Sequence, residues 1–233
     1  MTSRGESETA PNRIELQLPI GAELLTGELS IPAPTANGVV LFAQNSEASR
    51  PSPRTRYIAD VFARRGLATV LVDLLTAKEQ ALDRETVRFR FDIPLLADRV
   101  IRLMEWLRQR PETATLPIGL FGSATGGSAA LYVAAERPLE VAAVVSRAGR
   151  PDLVGPELTD VTAPTLLIVG SRDIVVARIN REALAWMRGV VSLGIIPEAT
   201  HLFAEPGALE DVAARSADWF TQHLRPLGAR AAG

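Results

Sequence analysis

The sequence predicts a doubly wound α/β protein, a mostly parallel sheet of about eight strands with helices on both faces. Three observations predict it. Apolar runs alternate with amphipathic stretches from residue 13 to residue 224, the rhythm of strand–helix–strand crossovers. Most of the apolar runs are nearly continuous in Val, Ile, Leu and Ala, as strands covered on both faces must be. Glycine, proline or arginine closes most of the helical stretches.

Taken in order, RIELQL (13–18) and ELLTGELSI (23–31) alternate like half-buried strands joined by a glycine-containing turn. The turn is too tight for a crossover, so this pair is expected at an antiparallel edge. GVVLFAQ (38–44) is a buried strand, and TRYIADVFARRG places Ile58, Val61 and Phe62 at helical spacing before a stop at Gly66. LATVLVDLL (67–75) is again a strand, and TAKEQALDRETVRFRF (76–91) reads as a long loop. DIPLLADRVIRLMEWLRQR (92–110) is an amphipathic helix with an Asp-x-Pro start and arginines at its end. LPIGLFG (116–122) is a strand and ATGGSAALYVAAER (124–137) a helix. VAAVVSRAG (141–149) and PTLLIVGS (164–171) are strands joined by a short loop segment, which leaves no room there for a lid domain. ALAWMRG closes a helix at Gly189, VSLGIIPEA (191–199) is the last strand and GALEDVAARSADWFTQHL (207–224) the last helix. Residues 1–12 and 225–233 are expected to be disordered tails around one domain, 13–224.

With 47% hydrophobic and 22% charged residues the chain can bury a large core. A formal net charge of −2 suggests neither nucleic acid nor an anionic membrane as partner. No apolar run approaches the roughly 18 residues of a membrane span, and no apolar stretch follows the charges of the N-terminus as in a secretory signal. The absence of cysteine excludes disulfides, thiolate metal sites and a cysteine nucleophile, and fits a cytoplasmic protein. No His, Asp and Glu grouping has metal-ligand spacing and no loop reads as a dinucleotide fingerprint, so no cofactor is expected. The expected partner is a small molecule; the oligomeric state is left open.

Residues 119–127, GLFGSATGG, stand between a strand and a helix and nearly spell G-x-S-x-G, the turn that exposes a nucleophilic serine at a helix N-terminus. In that frame Gly122 and Gly126 flank Ala124, which occupies the nucleophile's position, and Ser123 lies one residue away. The amide of Thr125 would be a donor to a developing oxyanion. Asp173 follows one strand and His201 another, in the chain order nucleophile, acid, histidine. Asp152, after the preceding strand, competes for the acid's role. Alternatively, Ala124 is simply the start of a helix, or Ser123 reaches the site after a register shift.

These segments, with SRPSPR, LATVLVDLLT, FRFDIPLLADR, AAVVSRAGRPDL and ATHLFAEPGALEDVA, resemble the dienelactone-hydrolase-like branch of the α/β hydrolases over residues 13–224. The resemblance implies an α/β-hydrolase fold and a serine-type hydrolase of an ester, lactone or similar acyl bond. Ala124, Asp173 and His201 would be its catalytic positions, with the nucleophile knocked out by a serine-to-alanine replacement and acyl transfer nearly abolished. Relatives commonly read His-Gly-Ser-Gly after the third strand, where this chain has Gln44-Asn45-Ser46-Glu47. The oxyanion hole would then comprise Thr125 with Asn45 or Ser46, and Gln44 and Glu47 would face the substrate. Arg50, Arg54, Arg147 and Arg150 could bind a carboxylate or phosphate of the substrate or form ordinary ion pairs, and Phe91 could shape the pocket or merely pack. Two other functions remain open: acid–base isomerisation, cyclisation or elimination by His201 and Asp173, and ligand binding without catalysis.

Overall fold

The computed structural model describes residues 12–44 and 52–224. The two expected tails, apart from Asn12, and the segment 45–51 with Asn45, Ser46, Glu47 and Arg50 lie outside the described residues.

Eight strands form one sheet in the order β1-β2-β4-β3-β5-β6-β7-β8. The strands are β1 (Asn12–Ile20), β2 (Glu23–Ile31), β3 (Gly38–Gln44), β4 (Leu67–Asp73), β5 (Ile118–Ser123), β6 (Val141–Arg147), β7 (Thr165–Gly170) and β8 (Val191–Ile196). β1 runs antiparallel to β2, and β2 antiparallel to β4. The six from β4 to β8 are mutually parallel. The expected hairpin thus forms the antiparallel edge of a parallel sheet.

Helices α1 (Pro53–Arg64), α2 (Ala77–Thr86), α3 (Ile93–Arg108), α4 (Thr125–Glu136), α5 (Ile174–Ala183) and α6 (Ala208–His223) complete the chain. α3 shows why its sequence is helical. Asp92 caps it by accepting from the Leu95 amide at 3.1 Å, Pro94 sits in the first turn, and Leu96, Val100, Leu103 and Leu107 form one buried stripe. That stripe packs with α4 on one face of the sheet. On the other, Ile58 and Phe62 of α1 and Val212 and Phe220 of α6 cover the strands. Phe62 is the hub there, with ring centroids 5.5 Å from Phe42, 5.7 Å from Phe121 and 5.5 Å from Phe220. No helix among the described residues is long and apolar enough to cross a membrane.

Two expectations are corrected. The stretch read as a loop at 76–91 holds α2 and a short 3₁₀ turn, Phe89–Phe91. Its helix has no apolar stripe and is held by polar contacts instead. The Thr76 hydroxyl accepts from the Glu79 amide at 3.3 Å and the Glu79 carboxylate from the Thr76 amide at 2.8 Å, a reciprocal cap. Glu79 also receives both ends of the buried Arg99 guanidinium, at 2.8 and 3.2 Å. The second correction concerns α5. It starts directly after Asp173 and ends at Ala183, short of Gly189, with turns closing on the Ala183 carbonyl.

Asp83 ties α2 to the following turn, accepting from the Phe89 amide at 2.6 Å, the Arg90 amide at 3.1 Å and Arg90 Nε at 2.5 Å. Burial pushes its carboxyl up, but the Arg90 side chain and the two amides outweigh that and hold it below the usual range. A carboxyl depressed in this way stabilises the fold above its unfolded-state pKa, and the contribution is lost as pH falls through the folded value. Asp83→Asn is therefore expected to cost about 2 kcal/mol near neutral pH. In melts against pH, the gap from the parent should narrow below the ordinary carboxylate range; a gap independent of pH would contradict this.

Candidate active site

β5 ends and α4 begins at a turn centred on Ala124, whose backbone adopts φ 50° and ψ −120°. A side chain carrying Cβ rarely takes a positive φ, and a conformation of this kind costs on the order of 1–3 kcal/mol. The turn is held from both sides: the Ala124 amide donates to the Arg147 carbonyl at 3.1 Å, and the Gly127 amide to the Ala124 carbonyl at 3.0 Å. Its closeness explains the glycines. A Cβ on Gly122 would lie 2.5 Å from Gly127 Cα, and one on Gly126 would lie 2.8 Å from the Ala43 carbonyl carbon in β3. The strain sits on Ala124, whereas Ser123 is an ordinary last residue of β5 paired with Arg147. Since glycine adopts positive φ freely, Ala124→Gly is expected to raise stability by about 1 kcal/mol, read from denaturant midpoints. A loss of that size would mean that the turn is relaxed.

At the ends of β7 and β8 the structure brings Asp173 and His201 together, with Nδ1 2.6 Å from Oδ2. With the carboxylate ionised, the proton sits on Nδ1 and Nε2 is left as the basic nitrogen. The aspartate side chain is 14% exposed and the imidazole 47%, so the pair opens to solvent on the histidine side. Asp152, the competing acid, is taken by Arg150, which grips it with Nε at 2.8 Å and Nη2 at 2.7 Å.

The loop after β8 is fixed at several points. The Glu198 amide donates to Ser171 Oγ at 2.8 Å, and the Thr200 hydroxyl to Glu205 at 2.6 Å. Arg54, at the start of α1, donates Nη2 to the Leu202 carbonyl and, at 2.7 Å, to the Phe203 carbonyl. Phe203 is buried with φ 52° and anchors the loop in the core. The Arg147 guanidinium lies 5.7 Å from the Phe203 ring centroid, so β6 links the Ala124 turn to the histidine loop. The Arg54 latch joins segments 149 residues apart and leaves no local mark in the sequence.

The Dienelactone hydrolase family model matches residues 29–227. The chain belongs to that family.

A crystal structure of a dienelactone hydrolase from Anabaena variabilis is 49% identical, with TM-score 0.88 over 93% of this chain and 100% of that one. Proteins provisionally named phosphoribosyl transferase in two strains of Mycobacterium tuberculosis are 50% identical over 210 residues. That match takes in 90% of this chain and 46% of theirs, so the chain spans about half the length of these curated relatives. A dienelactone hydrolase-like promiscuous phosphotriesterase from metagenomic libraries shares the fold, at 16% identity and TM-score 0.74 over 92% of this chain and 99% of that one.

Of the other expected site residues, Gln44 and Thr125 border the Ala124 turn: a Cβ on Gly126 would lie 3.3 Å from the Gln44 amide nitrogen, and Thr125 directly follows Ala124. Gln44 ends β3 and accepts from the Thr55 hydroxyl at 3.0 Å. Phe91 is half exposed at the end of the 3₁₀ turn that follows α2. Thr125 is buried as the first residue of α4. Among the described residues no three His, Asp or Glu side chains cluster as metal ligands.

Proposed function

We propose that this chain is built on a serine-type hydrolase site for an ester, lactone or similar acyl bond of a small molecule, with alanine standing where the nucleophile would be. The observation that carries this reading is the strained backbone of Ala124, φ 50° and ψ −120°. An alanine that merely began a helix would have no use for such a conformation, whereas a nucleophile at that position must be lifted off the strand end. Serine at 124 would attack the carbonyl carbon, His201 Nε2 would take its proton and Asp173 would hold the imidazole in the required tautomer. The Thr125 amide would stabilise the oxyanion, with a second donor from Asn45 or Ser46. As it stands, the chain lacks the attacking oxygen and should be nearly inert in acyl transfer.

The test is covalent labelling with a fluorophosphonate probe. The parent chain should remain unlabelled, Ala124→Ser should label, and adding His201→Ala should abolish the labelling. If the folded serine form stays unlabelled, the reading fails. The open, intact His201–Asp173 pair would then favour acid–base chemistry on an isomerisable or eliminable substrate.

A further inference from the structure

We propose that Arg147 and Arg54 together form a site for a doubly charged oxyanion, a phosphate monoester group, carried by the small molecule that the neighbouring site accepts. The placement as a substrate subsite rests on the function proposed above; the binding of the anion does not.

Arg147 ends β6, and its Nε is buried without a hydrogen-bond partner among the described residues. Burial, and then the nearby positive charge of Arg54, lower its pKa to about 10. A guanidinium remains charged at neutral pH even so. Arg150, three residues on, has Asp152, and Arg99 has Glu79. Neither Arg147 nor Arg54 makes an ion pair with a carboxylate of the described residues. Arg54 uses Nη2 on the carbonyls of Leu202 and Phe203, which hold the group in place without neutralising it.

The two cations therefore both meet Phe203, Arg54 at its carbonyl and Arg147 at its ring, at the junction of three pieces of the site. Arg147 supplies the carbonyl that fixes the Ala124 turn, and Arg54 latches the loop carrying His201. Phe203 lies under the Arg147 guanidinium. Two like charges at one junction repel, and a single carboxylate would compensate only one of them. A phosphate monoester is near −2 at neutral pH, and its three terminal oxygens can accept from two planar forks at once. Relief of the repulsion then contributes to binding.

The parent chain suits the measurement because no turnover is required of it. Inorganic phosphate, phenyl phosphate and acetate would be titrated calorimetrically at constant ionic strength near neutral pH, with chloride as the reference salt. Phosphate and phenyl phosphate should bind, acetate at least about tenfold more weakly, and Arg147→Met should lose at least about tenfold in phosphate affinity. Without phosphate, Arg147→Met should melt no lower than the parent, because it removes a partly buried charge that has no carboxylate partner among the described residues. Should that variant not fold, Arg147→Lys keeps the charge but loses the fork, and the same weakening is expected. The proposal is overturned if phosphate does no more than chloride, if acetate matches it, or if either Arg147 variant binds phosphate as the parent does. It is also overturned if Glu47→Gln destabilises the chain and only then creates phosphate binding, since Glu47 would then be the internal counter-ion. Fluorophosphonate labelling of Ala124→Ser is indifferent to these results, so the two readings fail separately.

Discussion

Ala124→Ser is expected to raise the rate of activated-ester cleavage by on the order of 10⁴ to 10⁶ over the parent chain, the range lost when a triad serine is removed from an enzyme of this type. The expectation rests on how little else must change. The turn already holds φ 50° and ψ −120° at this position. Serine adds one oxygen and no backbone demand, so stability should stay within about 0.5 kcal/mol of the parent. The imidazole already has its partner at 2.6 Å, so the base needs no assembly. Hydrolysis of p-nitrophenyl acetate and small lactones, followed under saturating conditions, measures the gain. A gain confined to the low end would locate the deficit in the oxyanion donors, since Gln44-Asn45-Ser46-Glu47 has no glycine where the resemblance implies one. A folded serine form no faster than the parent would end the hydrolase interpretation.

In that serine background, Asp173→Asn should lower kcat by about 10⁴ with little change in KM. Asparagine would keep the geometry but would present an amide donor toward Nδ1, favouring the tautomer that places the proton on Nε2, where the base is needed. The matching Asp152→Asn change should leave kcat within about twofold, because its carboxylate is engaged by Arg150 rather than by the histidine. Equal losses from both substitutions would mean that the acid's role is shared or that the pairing at His201 is incidental.

Strands β3 to β7 could be read directly from the sequence because burial on both faces demands continuous apolar runs, and few other structures do. α3 was equally plain, its stripe and its Asp92 cap pointing to the same boundaries. α2 escaped because its stability resides in charge and capping. The pattern Thr76-x-x-Glu79 was a visible signal, yet it counts for little without Arg99, which arrives from another helix. The sequence pattern overruns the end of α5 for a related reason: apolar residues continue through Ala185-Trp186-Met187 after the helical hydrogen bonding has given way to turns.

By itself, then, the sequence determined the alternation of strands and helices, the glycines around Ala124 and the order in which Asp173 and His201 follow it. These are local properties, set by the periodicity of burial and by residue size. Only the tertiary structure paired His201 with Asp173 rather than Asp152, placed the strained conformation on Ala124 rather than Ser123, and set Arg54 and Arg147 beside the histidine loop. Those outcomes depend on which strand ends are neighbours and on side chains that meet across more than a hundred residues of chain. Sheet order and long-range packing create such meetings, and no local spacing encodes them.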